Sequence, residues 1–308
     1  MNTLRFLKLV IRLIAGIALL AGAAWWVGFD RLRAPLMQAD LRWWLVALAF
    51  SIASNVVSAW RWARIARALG LHAPLAPITA AYAQAMTINL FVPGATVGGD
   101  AFRAMRLQAL GNGFGKSAAS VVLDRGSGVW MLALLSLLVG LTAAELQLFP
   151  ADFAMLPWGL GLGAIVIGPI LILLAPTSPA ILNHVAVLSR VTRLHQLIVE
   201  RHRALVRSLG DSIVVQLLSA AALWACARAL GEAVAYPLVL AVAAPIFIAG
   251  ALPMSIAGFG AREFAALLCF PLVGVAAAPG VSTALLYGVC GVAQGLLAAP
   301  LLMSFRQK

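Results

Sequence analysis

Six charged side chains of this chain stand beside glycines or at helix-span openings within otherwise apolar sequence: Asp100 and Arg103, Asp124 and Arg125, Arg262 and Glu263. An arginine keeps its charge at any depth, and its planar fork holds one oxyanion through two bonds. Inward-facing Arg103, Arg125 and Arg262 therefore describe a site for a phosphate-like headgroup. Asp100, Asp124 and Glu263 would orient those arginines or couple movement to protons. Neighbouring glycines let helices approach and let backbone N–H groups point at a ligand. The plainer alternative is that adjacent opposite charges neutralise one another so that the chain can insert. For Arg228 and Glu232, one helical turn apart near the end of an apolar run, that alternative is preferred.

Four of the six charges belong to two segments that echo each other, Pro93-Gly94-Ala95-Thr96-Val97-Gly98-Gly99-Asp100-Ala101-Phe102-Arg103 and Pro253-Met254-Ser255-Ile256-Ala257-Gly258-Phe259-Gly260-Ala261-Arg262-Glu263. In each, a proline is followed five residues later by a glycine and then by charge. Pro93, Gly94, Gly98 and Gly99, with Pro253, Gly258 and Gly260, are expected to break helices. Broken backbone and charge at membrane depth are costly, and such sites mark function.

The elements that must position these groups are membrane helices. The chain is 63% apolar and only 10% charged over 308 residues, with a mean hydropathy of +1.00, which excludes a soluble protein. Apolar runs long enough to cross roughly 30 Å of hydrocarbon lie near residues 9–28, 43–60, 117–140, 158–175, 212–230 and 282–304. Shorter runs, 76–110 around the first motif and 237–274 around the second, read as helical hairpins. The expected fold is all-α and polytopic, a single membrane domain over 1–308 with about six full spans and two oppositely oriented re-entrant hairpins.

Charge placement orients this arrangement, because short cytoplasmic loops collect Lys and Arg. With the N-terminus inside, sixteen of the twenty-two basic residues fall in cytoplasmic pieces, among them Arg61, Arg64 and Arg67 after the second span. Both termini are then cytoplasmic, as in a bacterial-type inner membrane. The first hairpin enters and leaves from the inside, the second from the outside. Opposed hairpins with related motifs match an inverted repeat, in which substrate sits near the midplane between broken helices. Trp25, Trp26, Trp43, Trp44, Trp60, Trp62 and Trp158 mark the interfaces.

Other readings fail on particular residues. The basic, apolar N-terminus resembles a secretion signal, but the run continues to full span length, so an anchored helix is expected. Cys226, Cys269 and Cys290 have no pair spacing and read as small core residues. Gly111-Asn112-Gly113-Phe114-Gly115-Lys116-Ser117 lacks the leading glycine of a phosphate loop, with Leu110 in its place, and reads as a turn. His72, His184, His195 and His202 show no ligand spacing, and no cofactor or metal is expected. The net charge of +12 follows topology and anionic lipid, since no soluble basic domain for nucleic acid is present. A basic amphipathic segment at 188–210, with Arg190, Arg193, Arg201, Arg203 and Arg207, would lie on the cytoplasmic leaflet.

Asn89-Leu90-Phe91-Val92-Pro93-Gly94 running into Gly98-Gly99-Asp100 and Arg103, the segment Ser120-Val121-Val122-Leu123-Asp124-Arg125, and Leu252-Pro253 with Gly258-Phe259-Gly260-Ala261-Arg262-Glu263 together resemble the lysylphosphatidylglycerol synthase transmembrane-region family. The resemblance covers nearly the whole chain. It implies a flippase-like membrane domain, and in the full-length synthases that domain is fused to a cytoplasmic aminoacyltransferase domain. The present chain is expected to be a stand-alone member without it. Stand-alone members also resemble proteins of hopanoid and glycan-lipid pathways, which leaves the cargo open.

The expected function is movement of an amphiphilic, anionic phospholipid or glycan or isoprenoid-type lipid between leaflets, without enzymatic chemistry. The competing expectation is a non-transporting subunit that presents lipid to a separate synthase or glycosyltransferase. Its motifs would be packing devices, and Gly159-Leu160-Gly161-Leu162-Gly163 would serve close helix contact or homo-oligomerisation. An intramembrane enzyme using Asp124 or Glu263 is weaker, since no nucleophile or metal cluster accompanies them.

Overall fold

The structure, a computed structural model, describes residues 21, 22, 25, 36–91, 96–149, 155–174, 202–252 and 259–303. Its regular elements are helices: α1 (Leu41–Ala68), α2 (Leu75–Phe91), α3 (Val97–Ala109), α4 (Phe114–Glu145), α5 (Met155–Leu174), α6 (His202–Ala229), α7 (Tyr236–Ala251), α8 (Ala261–Cys269), a 3-10 turn at Pro271–Val273, α9 (Ala277–Ala298) and a short α10 (Pro300–Met303). Among the described residues four stretches are long and apolar enough to cross a membrane: Leu41–Ala68, Phe114–Glu145, Ser208–Ala229 and Ala277–Leu302. Shorter apolar helix occurs at Gly159–Gly168 in α5 and in α7. Most of the run expected at 9–28 and most of the amphipathic segment at 188–210 lie outside the described residues, as do Pro93, Gly94, Pro253 and Gly258.

Small residues decide which helices pair. Along α1, Ala47, Ser51, Ser54 and Ser58 are buried at spacings of three and four, and α6 answers with Ser208, Ser212, Ser219 and Cys226 at spacings of four and seven. Small side chains at this spacing let two backbones come close where no hydrophobic force distinguishes helix from lipid. The pair is tied by the Ser54 hydroxyl, 3.1 Å from the Val215 carbonyl and 2.8 Å from Ser219 Oγ. Cys226 and Cys290 touch across α6 and α9, and both are free thiols in the core.

Contacts between turns give each helix its direction. At one end, Asn112 of the α3–α4 turn accepts from the His72 backbone N–H at 2.8 Å and donates to the His72 carbonyl at 2.9 Å. The α2–α3 pair thus starts and finishes where α1 ends and α4 begins. At the other end, the Asp40 N–H before α1 donates to the Ala229 carbonyl that closes α6. Phe149 beyond α4, Val234 before α7, and Val273 and Val275 after α8 share one apolar cluster. The α7–α8 pair therefore starts and finishes at the opposite end.

Two devices hold the second pair. Pro245 cannot donate inside α7, and Ser136 of α4 packs against the turn just before it. Its hydroxyl donates to the Leu240 carbonyl at 2.7 Å and accepts from the Ala244 N–H at 3.2 Å. Helix α9 meets its neighbours through glycines. A Cβ on Gly280 would lie 2.5 Å from Phe270 Cβ, one on Gly295 would lie 2.5 Å from Leu90, and one on Gly288 would strike the Arg262 guanidinium. By contrast, a Cβ on Gly159, Gly161 or Gly163 of α5 would meet nothing within 4 Å among the described residues.

Several expectations need correction. The span expected to end near residue 60 continues to Ala68, so Arg61 is a buried helical residue, 4% exposed, and does not belong to a loop. Trp62 is core rather than interface: fully buried, it donates from Nε1 to Ser120 Oγ. Gly98 and Gly99 lie in the first turn of α3 and do not break it. Gly99 instead admits the Asn89 side chain, whose Oδ1 accepts from the Gly99 N–H at 2.8 Å, where a Cβ would collide at 2.6 Å. Gly260 does sit at a break, with a φ of +105° that an L side chain resists.

Candidate functional site

Asp124 organises the charged interior. It faces inward on α4, on the stripe Ser117, Ser120, Asp124, Gly128. One carboxylate oxygen accepts from Arg61 Nε of α1 at 2.9 Å, the other from Arg103 Nη2 of α3 at 2.6 Å. All three side chains are buried. Arg61 also donates to Ser212 Oγ of α6 at 3.0 Å and to the Asp124 carbonyl at 3.1 Å. Arg103 lies between the Trp62 ring at 4.3 Å and the Tyr82 ring at 4.6 Å, which shield its charge from lipid.

The network continues outward from Arg103, which donates to Asp100 at 3.2 Å. Asp100 accepts a forked pair of bonds from Arg125, both at 2.9 Å. Adjacent positions on a helix point about 100° apart, so Asp124 and Arg125 serve different partners and do not neutralise each other. The result is an alternating chain, Arg61, Asp124, Arg103, Asp100, Arg125, with three cations and two anions. Its surplus charge ends at Arg125, whose side chain is 41% exposed.

The second motif builds its own centre. Glu263 accepts from the Gly260 N–H at 2.6 Å, closing the first turn of α8 as a capping carboxylate. Its other oxygen accepts from Arg262 Nη2 at 2.7 Å and Nε at 3.1 Å. Glu263 is fully buried, and Arg262 passes the rings of Phe259 and Tyr287 at 5.2 and 5.5 Å. Gly250 and Gly288 leave the room its side chain occupies.

One cavity of about 340 Å³ joins the two centres, with Arg61 and Arg125 on one wall and Arg262 with Tyr287 on another. Asn89, Leu90 and Thr96 flank the first motif there, and Gly250 and Ala251 the second. Met86, Leu132, Phe247 and Ile248 add apolar surface. Guanidinium groups beside apolar wall can bind the anionic head of an amphiphile. Of the expected site residues, Arg125 and Arg262 line this cavity. Asp100, Asp124, Arg103 and Glu263 stand behind them and fix their charge.

Arg61 is the member that spacing alone assigned elsewhere, although the register Ser54, Ser58, Arg61 places it on the buried stripe of α1. Asp211, likewise unassigned, pairs with Arg64 at 3.0 Å away from the cavity. Arg228 does not meet the Glu232 carboxylate. It donates to the Glu232 carbonyl at 3.3 Å and lies over Trp43, so it caps the end of α6. Among the described residues no group of three or more His, Cys, Asp or Glu could hold a metal ion.

Helices long enough to cross a membrane around a buried charged cavity define a multi-pass membrane protein. The chain belongs to the family described as Lysylphosphatidylglycerol synthase TM region, whose model matches residues 13–299. It is also similar to a UPF0104 membrane protein from Pyrococcus horikoshii, 26% identical over 169 residues, or 54% of this chain and 49% of that protein. The chain thus spans about half the length of this curated relative.

Proposed function

We propose that this protein carries an anionic amphiphilic lipid between the leaflets of a bacterial-type inner membrane, with its headgroup in the cavity between the two helix pairs. The observation that carries this reading is that Arg61, Arg125 and Arg262 all line one cavity that also has apolar walls. Arg125 and Arg262 hold the headgroup, with Arg61 behind them. The pairs α2–α3 and α7–α8 act as re-entrant hairpins from opposite faces, and the termini are cytoplasmic. The pairs open at opposite ends of the helix bundle, which supports that reading. No group in the cavity is assigned a catalytic role, and the protein acts without a cofactor.

Mass spectrometry of lipids retained by the purified protein tests this. An anionic lipid enriched over the bulk membrane, and lost when Arg125→Ala and Arg262→Ala are combined, is the expected result. Retention that mirrors the bulk membrane in both proteins would overturn the reading and favour a lipid-presenting partner subunit.

A further inference from the structure

Beside the headgroup cavity lies a second hollow of about 310 Å³ between α1, α2 and α9. Its walls are Ile52 and Val56 of α1, Thr79 and Ala83 of α2, and Leu297 and Ala298 of α9. Ile52, Val56 and Leu297 are exposed on the outside of the bundle, so the hollow is open along the surface that faces hydrocarbon. Asn55, Tyr82 and Met86 line both hollows and form the partition between them.

The partition is polar on one side and adaptable on the other. Asn55 donates to Gln294 Oε1 at 2.7 Å, and Gln294 donates in turn to Ser51 Oγ at 2.7 Å, which ties α1 to α9. Tyr82 is held against the Arg103 guanidinium. Met86 is unbranched, with three rotatable bonds, and can change its shape without breaking a hydrogen bond. A lipid whose phosphate meets Arg125 must place its hydrocarbon somewhere, and burying that hydrocarbon in water or among guanidinium groups is unfavourable.

We infer that the groove between α1, α2 and α9 holds a hydrocarbon chain of the same lipid whose headgroup occupies the arginine cavity, with Asn55, Tyr82 and Met86 at the neck between them. This inference rests on the reading under Proposed function. It commits that reading to a substrate with a long acyl or isoprenoid tail and to one lateral route, past the neck, between bilayer and cavity. The occupant follows from continuity: the apolar groove shares three wall residues with the charged cavity and opens outward to lipid.

The test uses full-length protein in lipid nanodiscs with phosphatidylglycerol that carries a diazirine in one acyl chain. Photolysis and peptide mapping are expected to label Ile52, Val56, Thr79 or Ala83. Arg125→Ala is expected to lower that labelling about tenfold, because the chain is held there through its head. Ala83→Phe, which fills the groove away from every arginine, is expected to lower it to a similar degree while retained lipid still depends on Arg125. Equal groove labelling in wild type and Arg125→Ala would mean an ordinary bilayer chain and overturn the inference. Arginine-dependent retention with labelling elsewhere would overturn it and leave the headgroup reading standing. Loss of both retention and labelling in wild type would overturn the two together.

Discussion

At the scale of residues, the cavity arginines and the carboxylates behind them have separable tasks. Asp124 is shared by Arg61 and Arg103, all three side chains being buried. Removing its charge leaves two buried cations with only Asp100 among three arginines, and breaking such a pair costs about 3–5 kcal/mol. Asp124→Asn is therefore expected to lower the thermal denaturation midpoint in detergent markedly. Arg125→Ala removes a partly exposed end of the chain, worth about 1 kcal/mol or less, so it should melt near wild type while losing lipid retention. An Asp124→Asn protein as heat-stable as wild type would contradict the network. The sequence marks Asp100, Arg103, Asp124, Arg125, Arg262 and Glu263 as special because charge is rare there, yet it cannot say which partner each takes. Arg61 was hidden because an arginine after an apolar run looks like a loop cation. Only its register with Ser54 and Ser58 places it on the buried face.

At the scale of elements, stability comes from close backbone approach rather than from large side chains, as expected where the solvent is itself apolar. Helix α9 provides a graded test within one helix. Gly280→Ala would put a Cβ 2.5 Å from Phe270 Cβ, an atom fixed to the backbone, so the α8–α9 turn must shift at a cost of about 1–3 kcal/mol. Gly291→Ala meets nothing within 4 Å and should be neutral or slightly stabilising, since alanine favours helix. Their denaturation midpoints, measured side by side, should differ, and equal midpoints would remove the glycine seam as an explanation. The apolar runs were legible as helices from length and composition. Their ends were not: α1 extends past its hydropathy boundary because its polar residues turn inward, and the run expected at 282–304 starts earlier, at Ala277. The bonds from the Ser136 hydroxyl to the turn of α7 before Pro245 are a tertiary contact that no local pattern carries.

At the scale of the whole molecule, the charge count and the echoing motifs together expected two hairpins facing each other, and the contacts at the two ends of the bundle are compatible with that arrangement. Periodicity could not supply the contacts themselves, because no local pattern says that residue 72 meets residue 112 or that residue 40 meets residue 229. Cysteine accessibility turns this into a measurement. The three native cysteines are buried, which leaves a low background for single cysteines introduced at exposed turns. His72→Cys and Gly113→Cys flank the α2–α3 pair, and Ala233→Cys and Ala276→Cys flank the α7–α8 pair. If both pairs are re-entrant, an impermeant maleimide applied to sealed right-side-out vesicles should label Ala233→Cys and Ala276→Cys alike, and should reach His72→Cys and Gly113→Cys only after permeabilisation. Labelling of all four from one side would place the pairs on one face and remove the opposed architecture. A split within either pair would make α2 and α3, or α7 and α8, a crossing rather than a return. The expected pattern would instead bring the α2–α3 and α7–α8 pairs to the arginine cavity from opposite ends, the geometry that would let the proposed headgroup site be opened to either leaflet by moving one pair at a time.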